Sequence, residues 1–410
     1  MPETSPNTIL NVSHHNYMVG GSDRVFLELG TLLESKGHTV VPFCSSSPLN
    51  RQSEYEHYFP PSINTTSATL KGVINYIYSL PAKKGMGRLL NDIDIDLAHL
   101  HIYYGQLTAS ILEPLRSRGI PIVQTLHDYK IICPVYTLTS AGKHCESCVG
   151  GHFWRALPKS CNRGSVLRTG LSVVESYVSA WSGAIRSIDH FIGISEFITQ
   201  KMISSGIPEN RITTIHNFIN TDNYKPDYSI GEYVVYFGRI ETVKGIYTLL
   251  EACRDLPDTR LVIAGTGGES ENVARWIANK GLHNIDLVGF LQGEELHKLL
   301  RRAICTIVPS EWEEPFGLTI VESLALGIPV VATTMGGIPE LINNGEDGLL
   351  VPPKSPIALR DAIEYFAKNP QRAAEMGRSG RAKVAQNFDK DRYYESVLDV
   401  YRKAQQRMIS

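Results

Sequence analysis

Short apolar runs alternate with longer segments of helical periodicity along most of this sequence. Continuous apolar runs bounded by turn residues are typical of strands buried on both faces of a parallel sheet. The alternation occurs twice, and a polar, turn-rich stretch at residues 216–227 separates the two occurrences. The pattern therefore predicts an α/β protein with two doubly wound, Rossmann-like domains. We expect these domains to face each other across a cleft, because candidate binding residues follow strands in both halves.

The predicted domain boundaries follow the same pattern. An N-terminal domain at residues 1–217 contains a cysteine-rich insertion at residues 131–165. A C-terminal domain occupies residues 218–388, and a final helix with apolar residues at helical spacing occupies residues 389–410.

The composition is that of a globular protein, with 42% hydrophobic and 20% charged residues. A net charge of −2 gives no general attraction to nucleic acid. No apolar run approaches the roughly 18 residues that would span a membrane. The N-terminal segment MPETSPNTIL has no basic region followed by an apolar run, so we expect no signal peptide. Seven cysteines without such a signal indicate reduced thiols and a cytoplasmic location.

The densest group of candidate functional residues lies at residues 310–340, which read SEWEEPFGLTIVESLALGIPVVATTMGGIPE. A helix is predicted to begin near residue 318 and to end at Gly327. Glu314 lies in the loop before this helix, and Glu322 lies about one turn inside it. Because helical side chains lean toward the N-terminus, Glu322 leans toward the end where Glu314 lies.

The N-terminus of this helix suits an anionic ligand, because it presents free N–H groups and a partial positive charge. The two glutamates would repel a phosphate, but each can accept hydrogen bonds from hydroxyl groups. A sugar linked to a phosphate offers both features. The alternative is that Glu314 and Glu322 only complement the helix dipole, which is a common arrangement.

The order of residues in this stretch carries a family resemblance. It reads Glu314-x7-Glu322, with Pro315-Phe316-Gly317-Leu318 between the glutamates and Gly327-x-Pro329-Val330-Val331 after them. This order resembles the donor-site motif of retaining GT-B-fold glycosyltransferases, and the most similar group is glycosyltransferase family 4 (glycosyl transferases group 1). The resemblance extends over nearly the whole chain.

The resemblance implies a retaining hexosyl- or N-acetylhexosaminyl-transferase with a UDP- or GDP-sugar donor. The acceptor would be a glycan or a lipid-linked saccharide, in the synthesis of bacterial surface polysaccharide or glycoconjugate. The first domain would bind the acceptor and the second the donor, and the final helix would pack back on the first domain. Glu322 would hold the ribose and Glu314 the transferred sugar, with Phe316, Gly317 and Leu318 beside the donor.

Arg239-x4-Lys244 follows a predicted strand and opens a helix. Two fixed cations at a helix start can hold a nucleoside diphosphate and stabilise its charge as it leaves. The resemblance implies this phosphate-binding role, and the alternative is a pair of ordinary surface cations. No residue stands out as a covalent nucleophile. We therefore expect the leaving phosphate itself to help deprotonate the acceptor.

Two further candidates follow strands of the first domain. Gly20 and Gly21 open a helix after the first strand, and the resemblance implies that they approach the donor phosphates. The alternative is a plain tight turn. His127 comes directly after the strand at residues 121–125, and the resemblance implies contact with the transferred sugar. The alternative is a capping or packing pair with Asp128.

The insertion contains Cys133, Cys145, Cys148 and Cys161. Cys145-x2-Cys148 has the spacing of zinc ligands, and the other two thiols could complete a structural site. The alternatives are a redox pair or unlinked small apolar residues. We expect catalysis to be independent of metal. The D-x-D pattern in residues 92–96 leads into a strand as a polar loop, and Arg239 with Lys244 can neutralise the diphosphate instead.

The stretch from Lys71 to Leu90 is basic, contains no acidic residue and has an apolar component. Such a stretch can lie on an anionic membrane surface, which would place the protein peripherally at the inner face of the membrane. A solvated basic surface is the alternative.

Two other functions compete with glycosyl transfer. A non-catalytic nucleotide-sugar-binding protein of the same fold would be indicated by loss of Lys244 or Glu322, and both are present. An NAD-dependent oxidoreductase would need a complete glycine fingerprint. The candidate at residues 265–268 has Ser270 in place of the third glycine, and no acidic partner ends a strand about 20 residues later.

Overall fold

The computed structural model describes residues 6–63 and 69–409. The chain divides into two compact units, one formed by Met1–His216 together with Asp391–Ser410, the other by Asn217–Lys390. Residues 1–5 belong to the segment inspected for a signal peptide and lie outside the described residues.

The first unit is built on a parallel sheet of six strands in the order β2-β1-β3-β4-β7-β8, and a short antiparallel hairpin, β5-β6, lies in the insertion. The described strands are β1 Thr8–Val12, β2 Thr39–Phe43, β3 Leu97–Leu100, β4 Ile122–Leu126, β5 Thr139–Ser140, β6 Lys143–His144, β7 His190–Gly193 and β8 Ile212–Thr214. Every residue of β3 and β4 is buried, as expected when helices cover both faces of a parallel sheet.

The helices of the first unit connect these strands. They are α1 Gly21–Ser35, α2 Leu70–Ile77, α3 Leu80–Asp92, α4 Leu112–Ser117, α5 Val166–Trp181, α6 Ala184–Ser187 and α7 Glu196–Ser204. A 3-10 helix at Phe153–Lys159 lies in the insertion. Pro81 does not break a helix, because it lies in the first turn of α3, where an N–H group has no helical partner anyway. Gly183, with a φ of +76°, separates α5 from α6.

The second unit has a parallel sheet of six strands in the order β11-β10-β9-β12-β13-β14. Its described strands are β9 Tyr233–Phe237, β10 Leu261–Ala264, β11 Ile285–Gly289, β12 Ala303–Val308, β13 Val330–Thr333 and β14 Gly348–Val351. Its helices are α8 Ile246–Arg254, α9 Ser270–Lys280, α10 Gly293–Arg301, α11 Leu318–Ala325, α12 Pro356–Lys368 and α13 Pro370–Asn387. The prediction of two doubly wound, Rossmann-like domains is confirmed.

The last helix, α14 Lys390–Ile409, contributes to the first unit from Asp391 onward. The Tyr394 hydroxyl lies 2.8 Å from Nε2 of His38, and the buried Tyr401 hydroxyl lies 2.7 Å from Nδ1 of His99. The end of the chain therefore forms part of the core of the first unit.

In each sheet the strand order reverses at the first strand of that unit, so that later strands are added on both of its sides. In the first sheet β2 and β3 flank β1, and in the second sheet β10 and β12 flank β9. Open α/β sheets bind ligands outside the carboxyl ends of the strands at such a switch point. A ligand site is therefore expected at the loops that follow β1, β3, β9 and β12.

Among the described helices, none is both long and apolar enough to cross a bilayer.

Candidate active site

Two loops meet at the switch point of the second sheet. One follows β9 and the other follows β12, and the N–H group of Glu311 donates a hydrogen bond to the Val243 carbonyl over 2.9 Å. Gly245 has a φ of +72°, and a Cβ built there would overlap the carbonyl oxygen of Pro309. Only glycine fits this close contact. The glycine after Lys244 therefore holds Lys244 next to the loop that follows β12.

Lys244 and Glu314 form a largely buried ion pair in which Nζ lies 2.6 Å from Oε1. The Ser310 hydroxyl donates to the same carboxylate oxygen over 2.5 Å, and Lys244 Nζ lies 5.0 Å from the centre of the Trp312 ring. Burial alone would raise the pKa of Glu314, but the charge of Lys244 and the hydrogen bonds outweigh it, so the pKa is lowered. Glu314 is therefore ionised at neutral pH.

The backbone of Glu314 is held as firmly as its side chain. Gly337 N–H donates to the Glu314 carbonyl over 2.8 Å. Gly336 has a φ of +62°, and a Cβ there would overlap the backbone of Glu314. The Gly336-Gly337 turn after β13 thus supports the loop that contains the glutamate.

Glu322 lies half-buried in α11 and accepts a hydrogen bond from the Tyr224 hydroxyl over 3.3 Å. Gly317, with a φ of +137°, precedes this helix, and Leu318 is its first residue. The Phe316 side chain is buried and its ring packs against Phe388. Any contact of Phe316 with a donor would therefore be made by its backbone.

Arg239 is not part of the ion pair of Lys244. More than half of its side chain is exposed, and Nη1 lies 3.2 Å from Oε1 of Glu241. An exposed pair of this kind contributes only about 0–1 kcal/mol, so the guanidinium can turn toward an anionic ligand at little cost.

The glycines at residues 265–268 have a packing role. A Cβ at Gly265 would overlap the carbonyl oxygen of Gly238, and a Cβ at Gly267 would overlap the backbone of Ile240. These glycines allow the loop after β10 to lie against the loop that carries Arg239. Close packing of these two loops therefore accounts for the glycine pattern that resembles a dinucleotide-binding fingerprint, and no bound dinucleotide is needed to explain it.

At the switch point of the first sheet, Gly20 caps α1 and its N–H group donates to Oδ2 of Asp23 over 3.0 Å. Gly20 has an extended backbone, and a Cβ there would meet no atom within 4 Å. The packing of the protein does not itself require a glycine here. The missing side chain leaves room in front of Gly21 and the N-terminus of α1.

His127 is the end of a stack of three histidines. Its Nε2 lies 2.8 Å from Nδ1 of His101, and the two ring centres are 5.1 Å apart. The His101 ring stacks on His99 at 4.6 Å, and His99 contacts the hydroxyls of Thr125 and Tyr401, each at 2.7 Å. The stack therefore joins the end of β4 to the core.

The histidine stack is uncharged at neutral pH. Burial lowers the pKa of His127 and of His99 to about 3, and His127 adds to the lowering at His99. Burial also lowers the pKa of His101 well below its usual value. His127 therefore suits hydrogen bonding to a hydroxyl group and not the stabilisation of negative charge.

One unpaired ring nitrogen indicates which nitrogen carries the proton in His101 and in His127. Nε2 of His101 is buried and has no hydrogen-bond partner among residues 6–63 and 69–409. Because an unpaired buried N–H group is rarer than an unpaired acceptor, the proton of His101 belongs on Nδ1, which then donates to Nε2 of His127. His127 then has its own proton on Nδ1.

The four cysteines of the insertion are free thiols, and Cys148 interacts electrostatically with the other three. Burial, followed by the charges of Cys133, Cys161 and Cys145, raises the pKa of Cys148 to about 12. Lys159 Nζ lies 3.0 Å from Sγ of Cys145. In the described part of the chain, no three of these sulfur atoms lie within 4.8 Å of one another. The thiols suit zinc chemically, but they would have to move closer to form a closed site.

Sequence reasoning missed several residues of these sites. Tyr224, the partner of Glu322, lies in the stretch predicted to be a linker. His99 and His101 reach His127 only through the pairing of β3 with β4. Contacts between distant parts of the chain leave no local signal, so spacing alone could not have found them.

Two family models match the chain in succession. The model described as Glycosyltransferase Family 4 matches residues 19–223, which is half of the chain. The model described as Glycosyl transferases group 1 matches residues 223–383. The chain therefore belongs to the glycosyltransferases, and we regard it as an enzyme of that class.

Individual proteins resemble the chain over nearly its whole length. The chain is 23% identical to the N-acetyl-alpha-D-glucosaminyl L-malate synthase of Bacillus anthracis over 93% of this chain and 94% of that protein. Sucrose-phosphate synthase from Thermosynechococcus elongatus superposes with a TM-score of 0.68 at 19% identity, covering 97% and 98% of the two chains. Anabaena HepE in complex with UDP-glucose superposes with a TM-score of 0.66 at 18% identity, covering 96% and 98%. These structures share the GT-B fold.

Proposed function

We propose that this glycosyltransferase transfers a hexosyl or N-acetylhexosaminyl group, with retention, from a UDP- or GDP-sugar to a glycan or lipid-linked saccharide. The single observation that carries the proposal is the Lys244–Glu314 ion pair at the switch point of the second sheet. A cation beside a carboxylate suits a ligand that joins phosphates to hydroxyl groups. The solved structure of HepE with UDP-glucose supports a donor of this type.

Each side chain has one task in this proposal. Lys244 turns from Glu314 to the diphosphate, and Arg239 swings from Glu241 to the same group. Glu314 then accepts hydrogen bonds from the hydroxyls of the transferred sugar, and Glu322 accepts them from the ribose. Neutral His127 binds a further sugar hydroxyl. The N-termini of α1 and α11 present N–H groups that suit the phosphates.

The proposed reaction keeps the configuration at the anomeric carbon. The bond from that carbon to the phosphate oxygen breaks, and the acceptor oxygen bonds to the same face. The acceptor proton passes to the leaving phosphate, whose charge Lys244 and Arg239 stabilise. No protein nucleophile is needed, and no metal is assigned a step.

The test is a screen of UDP-, GDP- and ADP-sugars for hydrolysis and for transfer to simple saccharides. Transfer products keep the anomeric configuration of the donor, which nuclear magnetic resonance couplings report. An inverted product would refute retention. Tight binding of a nucleotide sugar without hydrolysis or transfer would favour a non-catalytic binding protein.

The proposed location is the cytoplasm, with peripheral contact at the inner face of the membrane through the stretch from Lys71 to Leu90. This location gives access to lipid-linked acceptors of bacterial surface polysaccharides or glycoconjugates. The exposed cations Lys71 and Lys84 in this stretch support it.

A further inference from the structure

Helix α5 has the opposite orientation to an ordinary surface helix. Its buried residues are mostly polar: Thr169, Ser172, Val173, Glu175, Ser176 and Ser179. Three of its apolar residues face outward instead, with Leu167 83%, Val174 46% and Trp181 76% exposed. Positions seven residues apart on a helix point in nearly the same direction. These three side chains therefore form one apolar line along the helix.

An ion pair inside the first unit explains why the polar face is buried. Lys130 Nζ lies 2.5 Å from Oε2 of Glu175, and both side chains are almost fully buried. Lys130 also donates to the Pro134 carbonyl over 2.9 Å and to the Ser176 hydroxyl over 3.2 Å. Turning α5 to bury its apolar line would break this network and leave a charge unpaired, which is costly. The outward apolar line is therefore a fixed feature.

The elements beside α5 are apolar on their surfaces as well. Helix α2 packs against α5, contains mostly apolar side chains and buries none of them. Leu70 and Ile74 of α2 are exposed. The 3-10 helix Phe153–Lys159 also packs against α5, and its Trp154 is exposed. Soluble monomers rarely expose so many large apolar side chains in adjacent elements unless the surface binds something.

The charges within the two segments that form and flank this surface are almost all positive, and one of their cations, Lys83, pairs with Glu113 of α4. The cations in residues 69–90 and 150–187 are Lys71, Lys83, Lys84, Arg88, Arg155, Lys159, Arg163, Arg168 and Arg186. The only acidic residue in these two segments is Glu175, which is buried against Lys130. The whole chain has a net charge of −2, so the positive charge is local. An apolar surface with a basic border matches the interface of an anionic bilayer.

We propose that α2, the 3-10 helix Phe153–Lys159 and α5 form a docking surface for anionic phospholipid membranes. Leu167, Val174 and Trp181 enter the acyl boundary, and the surrounding cations contact the lipid headgroups. Tryptophan is well suited to this boundary because its ring is apolar and its N–H group is polar. The surface extends beyond Lys71–Leu90 to α5. This inference rests on the proposed function in one respect only, namely that docking would bring the enzyme to a lipid-linked acceptor.

The experiment measures binding of the full chain to vesicles by co-sedimentation. One vesicle preparation contains phosphatidylcholine alone, and the other contains phosphatidylcholine with phosphatidylglycerol. We expect binding to the anionic vesicles only, and binding should weaken as salt rises. The double variant Leu167→Ser/Trp181→Ser should bind at least about tenfold more weakly, because two inserted side chains are lost. The charge variant Lys71→Glu/Arg168→Glu should lose binding to a similar extent.

Matched controls come from exposed residues of the second unit. Phe290→Ser and Lys280→Glu change an exposed aromatic and an exposed cation without touching the proposed surface. Both should bind like the unaltered protein. Unchanged vesicle binding by Leu167→Ser/Trp181→Ser would overturn the proposal. So would concentration-dependent dimers that this variant abolishes in the absence of lipid, because the surface would then join two copies.

Vesicle binding and transfer are separate readouts. The Leu167→Ser/Trp181→Ser variant should transfer sugar to a water-soluble acceptor at the normal rate and to a vesicle-borne acceptor slowly. Anionic vesicle binding without any transfer from nucleotide sugars would leave the docking surface standing and refute the proposed function.

Discussion

At the scale of single residues, Lys244 has two partners in the proposed mechanism. In the structure it neutralises Glu314, whose carboxylate is almost fully buried. Removing one member of such a pair leaves the other charge buried without compensation. Lys244 thus supports the protein before it binds a donor, and effects on stability and on binding have to be measured separately.

The Lys244→Ala variant should bind UDP or GDP more weakly by roughly 1.5–3 kcal/mol, because a charge-assisted bond is lost. It should also unfold at a lower urea concentration. The double variant Lys244→Met/Glu314→Gln should recover stability, since neither charge remains, but not affinity. Calorimetric titration and urea unfolding check these results. Normal diphosphate affinity in Lys244→Ala would contradict the assigned role.

The two glutamates should differ in what they bind. Glu322→Gln should weaken both the nucleotide sugar and the bare diphosphate by roughly 1–3 kcal/mol, because the ribose is common to both. Glu314→Gln should leave the affinity for the bare diphosphate unchanged or higher, since Lys244 is released, while transfer falls strongly. Tyr224→Phe is the control that removes only the hydroxyl bonded to Glu322. Equal loss of diphosphate binding in both glutamine variants would show that the pair acts as one structural unit.

The histidine stack predicts how stability changes with pH. The pKa of His99 and of His127 is about 3 in the folded protein, against 6.5 for an ordinary histidine. Between these values the unfolded chain binds more protons, so stability falls as pH decreases, by about 1.4 kcal/mol per pH unit for each group. Asp128, with a pKa raised to about 6 by burial, offsets part of this loss.

Urea midpoints between pH 7 and pH 5 check this dependence. His101→Gln removes one group whose pKa is lowered, so its midpoint should change less steeply with pH than that of the unaltered protein. Equal slopes would mean that His101 does not titrate differently in the folded and unfolded chains.

Spacing along the chain predicted some of these residues and could not predict others. Lys244, Glu314 and Glu322 lie in local patterns that a reader of the sequence can find. The contact of Lys244 with Glu314 joins residues 70 positions apart and depends on glycine positions in two loops. His101 and Tyr224 were missed because their partners are distant in sequence and common residue types.

At the scale of elements, α5 shows why helical periodicity is not enough. Periodicity shows that the apolar side chains share a face, and the usual rule would bury that face. The buried partner Lys130, which lies far from α5 in sequence, reverses the choice.

The cysteine-rich insertion is the element where metal binding can be tested. We expect untagged protein to contain about one zinc per chain, and removal of zinc to lower the stability of the insertion without abolishing donor binding. Cys148→Ser should lose the metal, and Cys44→Ala, which removes a buried thiol elsewhere in the first unit, should keep it. Protein without zinc by elemental analysis, or with a disulfide among these thiols, would refute the zinc site.

At the scale of the whole molecule, the alternation of strands and helices was sufficient to predict both sheets. It was sufficient because parallel strands that are buried on both faces are apolar throughout, and the connecting helices are amphipathic. The strand orders could not be deduced in this way. The two sheets also differ, because two strands lie on the β10 side of β9 and only one lies on the β2 side of β1.

The placement of α14 has a consequence for synthesis on the ribosome. Residues 391–409 emerge after every residue of the second unit, yet Tyr401 completes the buried contacts of His99 in the first unit. The first unit therefore lacks these contacts until α14 has been synthesised. The second unit is continuous from Asn217 to Lys390 and can fold without interruption. The unit whose synthesis begins first is therefore the last to complete its core.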